Sequence, residues 1–318
     1  MLGDFDRFVG PAAGITTSLL WTGTSLCFTA AGKRIGPTMV NGTRIALAIV
    51  LLGLTHRFMA GTWIPTASIG QVTFLAFSGI VGLAIGDQAL FTAFVSIGPR
   101  LAMLIMATAP IFAAFFGWLA LGETLPDVAW IGIALTIGGV GWVVFERQHD
   151  GSVVRNPHRL LGVLFAFVAA ACQAGGLLLS KQGMGHGWLP EDQHMTPQAA
   201  TFVRMVFAGL GVLPIVLLHA RRQRKRRAAG IRPFPPEARR AGLILAACGA
   251  VVGPYLGVWM SLVAADRAAM GVAQTLMSLT PVFILPFAVL VHKERISPRA
   301  VIGALIAVGG SALLFFNA

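Results

Sequence analysis

Long runs of apolar residues without any Asp, Glu, Lys or Arg recur along the chain, separated by clusters of Gly, Pro and charged residues. Each run is long enough to cross a hydrocarbon core, which takes about 20 apolar residues in a helix. With the Gly, Pro and charge clusters as breaks, the pattern predicts ten helices. These cover residues 11–31, 38–56, 68–93, 99–121, 127–145, 160–180, 198–219, 241–263, 270–291 and 299–316.

The composition excludes a water-soluble protein. The 318 residues are 56% hydrophobic and 11% charged, whereas soluble domains carry about 25% charged residues. Because every backbone polar group must be paired internally within lipid, the expected fold is an all-α polytopic membrane protein. The three cysteines, Cys27, Cys172 and Cys248, lie in apolar runs without CxxC spacing. They indicate neither a disulfide framework nor a metal site.

An internal repeat organises the chain. A shift of 171 residues aligns residues 81–139 with residues 252–310 without a gap, and 16 of these 59 positions are identical. A Pro-x6-Arg pattern also occurs twice, at Pro37 to Arg44 and at Pro197 to Arg204. A duplication explains why glycines, a proline and a glutamate keep the same mutual spacing in both halves.

Each repeat contains five predicted helices. An odd number makes the second repeat enter the membrane from the opposite face, so the two repeats are expected to be inverted copies. We predict a first repeat at 1–148, a linker at 149–159 and a second repeat at 160–318. Inverted repeats are typical of secondary transporters, whose substrate site lies near the membrane midplane between the halves.

The repeated motifs resemble the drug/metabolite transporter superfamily, in particular proteins with two EamA domains. The resemblance rests on Ala-Pro-Ile-Phe from Ala109, Leu-Gly-Glu at Leu121 to Glu123 and the glycines from Gly132 to Gly139, with counterparts from Thr280 to Gly310. It implies ten helices, alternating access and a central cavity lined by the first, third and fourth helices of each repeat. It does not specify a substrate, because relatives carry amino acids, other metabolites, nucleotide sugars and drugs.

The distribution of cations predicts the orientation. Connections after the odd-numbered helices carry eighteen Lys and Arg residues, against four on the other side, and nine of the cations lie between Arg221 and Arg240. Cytoplasmic loops are rich in Lys and Arg, so loop 220–240 is predicted to be cytoplasmic and both termini outside. The resemblance implies the reverse orientation. The net charge of +12 is interpreted as this topology signal and not as nucleic-acid binding.

Asp87 is the carboxylate that the pattern places well within a helix, and Gln88 follows it. A charge at membrane depth is costly and normally faces a cavity or an ionic partner. Asp87 could bind a substrate amine or take up a coupling proton, or it could form an ion pair with Arg100 or Lys33. Its counterpart in the second repeat is Val258.

Further candidates divide into a substrate group and a gating or structural group. The substrate group comprises polar or aromatic residues that could contact a solute or simply pack between helices: Trp21, Gln173, Tyr255, Gln274, Thr275 and Ser278. The second group comprises glycines for close helix packing or sliding, mid-helix prolines for kinks, and arginines that either snorkel to the headgroups or attract an anion. Its members are Gly82, Gly86, Gly253, Gly257, Pro110, Pro281, Arg44 and Arg204.

No catalytic or nucleotide-binding motif is present in the sequence, so we expect neither an enzyme nor a cofactor. His186, His194, Glu191 and Asp192 are taken as a polar loop and not as metal ligands. The predicted function is a secondary transporter in the cytoplasmic membrane that moves a small metabolite, an amino acid or another amphipathic solute. The alternative is a lipid flippase or scramblase. The partners are the solute and the bilayer, and the oligomeric state is left open, a monomer included.

Overall fold

The computed structural model describes residues 2–146, 159–190, 193–228, 235–280, 282–283 and 298–316. Ten helices span this part of the chain when π-helical segments are counted with the helices they continue. We number them α1 (Leu2–Ile35), α2 (Pro37–Ala60), α3 (69–106), α4 (Ala109–Leu121), α5 (Asp127–Glu146), α6 (Arg159–Gly183), α7 (Pro197–Ala228), α8 (Pro236–Arg267), α9 (Met270–Met277) and α10 (Pro298–Phe316).

The helices have the length and composition of membrane spans. Five are long and apolar enough to cross a bilayer, and three shorter apolar helices accompany them. Large apolar side chains such as Phe58, Ile69 and Leu305 are exposed on the outside of the bundle, where lipid would cover them. The predicted all-α polytopic membrane protein is confirmed. The five long spans are Pro37–Ala60, Ile69–Phe94, Leu160–Gly183, Pro197–Lys225 and Pro236–Arg267.

The helix boundaries near the middle of each repeat differ from the prediction. α3 continues through the predicted loop to Met106, and a break at Ala107 and Thr108 precedes α4. The predicted mid-helix kink at Pro110 is therefore wrong. Pro110 lies in the first turn of a new helix, where its missing N–H leaves no bond unmade. A matching break follows Met277 at Ser278 and Leu279, whereas Pro281 lies outside the described residues.

The cationic segment is mostly helix and not loop. α7 runs on to Ala228 and carries Arg221, Arg222, Arg224 and Lys225, so the predicted helix end at residue 219 is nine residues too early. Arg, Lys, Gln and Ala are good helix formers, and cations at a helix C-terminus interact favourably with the helix dipole. Hydrophobicity had marked the end of the apolar run and not the end of the helix.

Contacts between α5 and α10 establish that the two repeats are inverted. A Cβ atom at Gly139 would meet the backbone of Gly303 and Ala307, and one at Gly310 would meet the backbone of Gly132 and Thr136. A shift of 171 residues exchanges these two sets of partners exactly as a two-fold axis would. Residue numbers rise along one helix as they fall along the other, so the equivalent helices are antiparallel.

The remaining helix pairs follow the same exchange. α1 packs on α8 while its counterpart α6 packs on α3, and α2 packs on its own counterpart α7. Both third helices contain a π-helical segment at equivalent places, Gly79–Gly86 in α3 and Val251–Gly257 in α8. Such segments are rare and frequently mark functional sites. The main cluster of buried apolar side chains draws on helices of both repeats, so the core lies at the interface between them.

Candidate substrate cavity

A cavity of about 440 Å³ lies between the two repeats. Its volume is within the range of small-molecule sites. Exposed Lys33 and half-buried Pro37, at the α1–α2 junction, line its mouth, and Gln274 and Ser278 line its inner part. We call the end of the bundle at this junction the Lys33 end. The opposite end, where α6 finishes, is the Lys181 end.

The cavity wall is mainly apolar and aromatic, and a few polar groups interrupt it. Phe28, Phe91 and Phe94 supply aromatic surface, and both central helix breaks contribute residues. Eight of the predicted candidates line this wall: Trp21, Arg44, Asp87, Gln173, Arg204, Gly253, Gln274 and Ser278.

Three predicted substrate residues lie elsewhere. The Gln88 amide accepts a 3.5 Å hydrogen bond from Asn41, and the buried Thr275 hydroxyl donates to the carbonyl of Gly271 at 2.6 Å. The Tyr255 hydroxyl shares a 2.7 Å hydrogen bond with Thr55 on α2. Their polar groups are used in contacts between or within helices, and none of the three lines the cavity.

Asp87 forms an ion pair with Arg44 across α2 and α3. The expected partners Arg100 and Lys33 are thus replaced by Arg44, which was expected either to snorkel to the headgroups or to attract an anion. The Arg44 Nε atom donates to Asn41 Oδ1 at 2.9 Å, and the guanidinium lies 5.2 Å from the ring centroid of Phe91. Ionic, polar and cation–π contacts together hold Arg44 in the cavity wall.

Arg204 has a different environment. It is 2% exposed, so it does not snorkel to the headgroups, and the hydrogen-bond donor at its Nε atom has no partner in the described part of the chain. A Cβ atom added at Gly82 would lie only 2.7 Å from the Arg204 Nη2 atom. Gly82 is therefore the position that leaves room for this guanidinium between α3 and α7.

The other predicted glycines allow close approach of helices around the π segments. A Cβ at Gly86 would lie 2.9 Å from Cys172 Cβ, one at Gly253 would lie 2.6 Å from Thr24, and one at Gly257 would lie 2.9 Å from Trp21. Each contact joins a third helix to the first helix of the other repeat. Larger residues would push these helices apart.

Polar contacts join the helices at the Lys181 end, beyond the residues that line the cavity. Glu123, just beyond α4, accepts a 2.5 Å hydrogen bond from Lys181 Nζ and a 2.7 Å hydrogen bond from the backbone N–H of Met270. Lys181 also donates to the carbonyl of Ala268 at 2.9 Å. One carboxylate thus ties α4, α6 and the N-terminus of α9 together.

A second group of polar contacts lies at the same end. His186 Nε2 is 2.7 Å from Asp266 Oδ1, and His194 Nε2 is 4.0 Å from it. Candidate ligand atoms of these three residues all lie within 4.8 Å of one another, so among the described residues they could hold a metal ion. The histidines were expected to share a polar loop with Glu191 and Asp192, which lie outside the described residues, whereas Asp266 was not among the predicted residues.

Several polar residues of the cavity were not among the predicted candidates. The signal available was their position on helices that the family resemblance assigns to the cavity, but serine and threonine are too common in apolar helices to stand out. The missed residues are Thr24, Ser25, Thr29, Ser261 and Thr280.

Inverted repeats around a central cavity are a recurring architecture of membrane transporters. The sequence model described as "EamA-like transporter family" matches the chain twice, over residues 9–145 and 160–316. The chain belongs to this family, and it is a transporter of the drug/metabolite transporter superfamily with two EamA repeats.

Comparison with solved structures supports the fold. One structure, described only as "Crystal structure of protein", superposes with a TM-score of 0.71 over 96% of this chain and 94% of that chain, at 18% sequence identity. At this identity the similarity concerns the fold alone. A comparison with curated proteins gives no match.

Proposed function

We propose that the protein is a secondary carrier that binds a small amphipathic metabolite in the central cavity and moves it by alternating access. The observation that carries this proposal is the asymmetry of the cavity. At one end its lining includes the exposed residue Lys33, whereas at the other end the Glu123–Lys181 contacts close the bundle. An amino acid is one candidate solute. Energy would come from the gradient of the solute or of a coupled ion.

Inverted symmetry provides the second state of the cycle. If the two repeats exchange conformations, the Lys33 end closes and the Lys181 end opens, with no new fold required. The Glu123 contacts with Lys181 and Met270 would break in that step. Solute binding can shift this equilibrium only through a difference in affinity between the two states.

The helix breaks support such an exchange. Met106 and Ala107 in the first repeat, and Met277 and Ser278 in the second, line the cavity next to their breaks. Transporters build their central sites from discontinuous helices of this kind. We propose that the two halves of each broken helix tilt separately, and that the close glycine contacts at Gly86 and Gly257 let the third helices slide.

The cation distribution supports a cytoplasmic Lys33 end. The Lys33 end carries the connections rich in Lys and Arg, including the extension of α7. By the positive-inside rule this end faces the cytoplasm, the termini lie outside, and the cavity is open inward. A protease-cleavable tag at each terminus, tested on intact cells and on broken cells, measures the orientation directly.

A ligand screen followed by a transport assay tests the carrier function. Amino acids, nucleosides and cationic drugs are first screened for a rise in melting temperature of the purified protein, because a ligand that binds the folded state stabilises it. A stabilising solute is then tested for counterflow in proteoliposomes. Counterflow is expected for a carrier, and simple equilibration would indicate a channel.

The flippase alternative is tested in the same vesicles. A cavity lined by helices of both repeats suits a soluble solute better than a lipid with two acyl chains. Movement of a fluorescent lipid between leaflets, in the absence of any solute transport, would support the alternative and contradict the carrier.

A further inference from the structure

Arg204 is a buried cation in the cavity wall without a counterion of its own. It is 2% exposed, its Nε donor is unpaired among the described residues, and it lies within the electrostatic influence of Asp87. That carboxylate is already bound to Arg44. Buried charges are normally paired because desolvation penalises them. An unpaired one facing a cavity is therefore a candidate binding group.

The repeat explains why Arg204 lacks an acidic partner. Arg44 and Arg204 occupy equivalent places in the two Pro-x6-Arg segments, but the counterpart of Asp87 is Val258. Val258 also lines the cavity. The first repeat therefore contains a complete ion pair, whereas the second contains the cation with valine at the position of the acid.

The charges of the cavity wall are consequently unbalanced. Arg44 and Asp87 neutralise each other, Arg204 leaves one positive charge inside, and Lys33 adds another at the mouth. Since the described wall offers no free carboxylate, a cationic solute would be repelled from the inner cavity and an anionic group would be attracted.

We propose that Arg204 binds a carboxylate of the transported solute, so that the solute supplies the negative charge that the second repeat lacks. This inference rests on the proposed carrier function and specifies its substrate class as an organic carboxylate with an apolar body. A guanidinium fork matches a planar carboxylate with two parallel hydrogen bonds. The apolar body lies against the aromatic wall formed by Phe28, Phe91 and Trp21.

Gln274 gives the solute a second polar contact. It is 2% exposed and lines the same cavity, and its Oε1 atom has no hydrogen-bond partner in the described part of the protein. An amine or hydroxyl group next to the carboxylate would bond to this amide. Two orphaned polar side chains in one cavity, a cation and an amide, suit a carboxylate better than a phosphate, because a doubly charged phosphate would need more donors.

Matched probes that differ only at the charged groups test the inference. Purified protein is heated with phenylalanine, N-acetylphenylalanine, phenylalanine amide or phenethylamine. The first two carry a carboxylate and are expected to raise the melting temperature, whereas the last two lack it and are expected to leave the temperature unchanged. Equal or greater stabilisation by the amide or the amine, or no stabilisation by either carboxylate, overturns the proposal.

Substitution of Arg204 supplies the second measurement. Arg204→Gln is expected to fold with unchanged or higher melting temperature, because it removes an unpaired buried charge, and to weaken carboxylate binding by about 10-fold or more. Arg204→Lys keeps the charge and should bind with intermediate affinity. Arg57→Gln is the matched control, since Arg57 is exposed at the other end of α2. Its probe affinity should equal that of the unmodified protein.

The results separate failure of this inference from failure of the carrier function. If Arg204→Gln binds the carboxylates as tightly as the unmodified protein does, Arg204 is not the binding group. If neutral or cationic solutes from the wider screen show counterflow and carboxylates do not, the carrier function stands and the anionic substrate class is wrong. Absence of counterflow with every stabilising solute contradicts the carrier function itself.

Discussion

Alanine substitutions at Gly139 and Gly310 test whether a two-fold axis relates the repeats. A Cβ at Gly310 would lie 2.7 Å from the Gly132 carbonyl oxygen and from the Thr136 nitrogen, whereas ordinary contact begins at 3.4 Å. α10 must therefore move away from α5 by roughly 0.7 Å, the difference between these two distances. A Cβ atom at Gly139 on α5 would make the equivalent close contact with the backbone of Gly303 and Ala307 on α10.

The expected cost follows from overpacking. Forcing an extra carbon into a close-packed contact costs about 1–3 kcal/mol, and replacing a helical glycine with alanine returns about 0.5–1 kcal/mol. Gly139→Ala and Gly310→Ala should each lower the free energy of unfolding by a net of about 1 kcal/mol and at most about 2.5 kcal/mol, by similar amounts because they are equivalent positions. Gly138 and Gly309 are the matched controls, since a Cβ there meets nothing within 4 Å.

Unfolding in mixed detergent and dodecyl sulfate micelles measures these differences. Gly138→Ala and Gly309→Ala should leave the transition unchanged or shift it to higher denaturant, whereas their neighbours shift it to lower denaturant. If neighbouring positions behave alike, or if only one of the two equivalent sites is sensitive, the symmetric α5–α10 contact does not exist as described.

Three further predictions concern the cavity and its closure. Asp87→Asn leaves the buried Arg44 guanidinium without its ionic partner and should destabilise the fold by about 3–5 kcal/mol. The double variant with Arg44→Gln should recover part of this loss in the same unfolding assay, and additive losses would contradict the ion pair. Asp87→Asn should also abolish any pH dependence of transport in proteoliposomes if Asp87 takes up the coupling proton, and unchanged proton-coupled uptake would remove it from the mechanism. Glu123→Gln should loosen the Lys181 end, so a Ser278→Cys thiol should be labelled faster from that side. The control Asp127→Asn, at an exposed residue, should leave the labelling rate unchanged. Equal labelling rates with and without Glu123→Gln would show that Glu123 does not hold this end closed.

Sequence patterns predicted the helices and their repeat because both depend on local, periodic signals. The length of each uncharged run is set by the thickness of the bilayer. The spacing shared by Gly82, Gly86, Pro110 and Glu123 and by their counterparts can be recognised within a single sequence. The break at Thr108 was missed because hydrophobicity is the same on both sides of it. Apolar composition distinguishes membrane from water and does not report whether a helix is continuous.

The candidate site was predicted less completely because it depends on contacts between distant residues. Asp87 was correctly placed in a helix, but its pairing with Arg44 required the two helices to be positioned in space. For Arg204 the sequence left open whether the side chain snorkels to the headgroups or attracts an anion, because distance along a helix does not reveal which face is covered. The closure by Glu123 and Lys181 joins residues 58 positions apart, and no local pattern connects them.

The central claim is that the cavity opens alternately to the two sides of the membrane. A direct test uses protein in which Cys27, Cys172 and Cys248 are replaced by alanine and Ser278→Cys places one thiol in the cavity. A membrane-impermeant thiol reagent is added to one side or the other of oriented vesicles. A parallel sample carries in addition Glu123→Cys and Lys181→Cys, joined beforehand by a short cross-linker with two thiol-reactive maleimide groups.

Alternating access predicts that the cavity thiol reacts from both sides in the free protein. After cross-linking it should react only from the side of the Lys33 end. Reaction from one side regardless of the cross-link, or from both sides while the Lys181 end is held closed, would contradict the account.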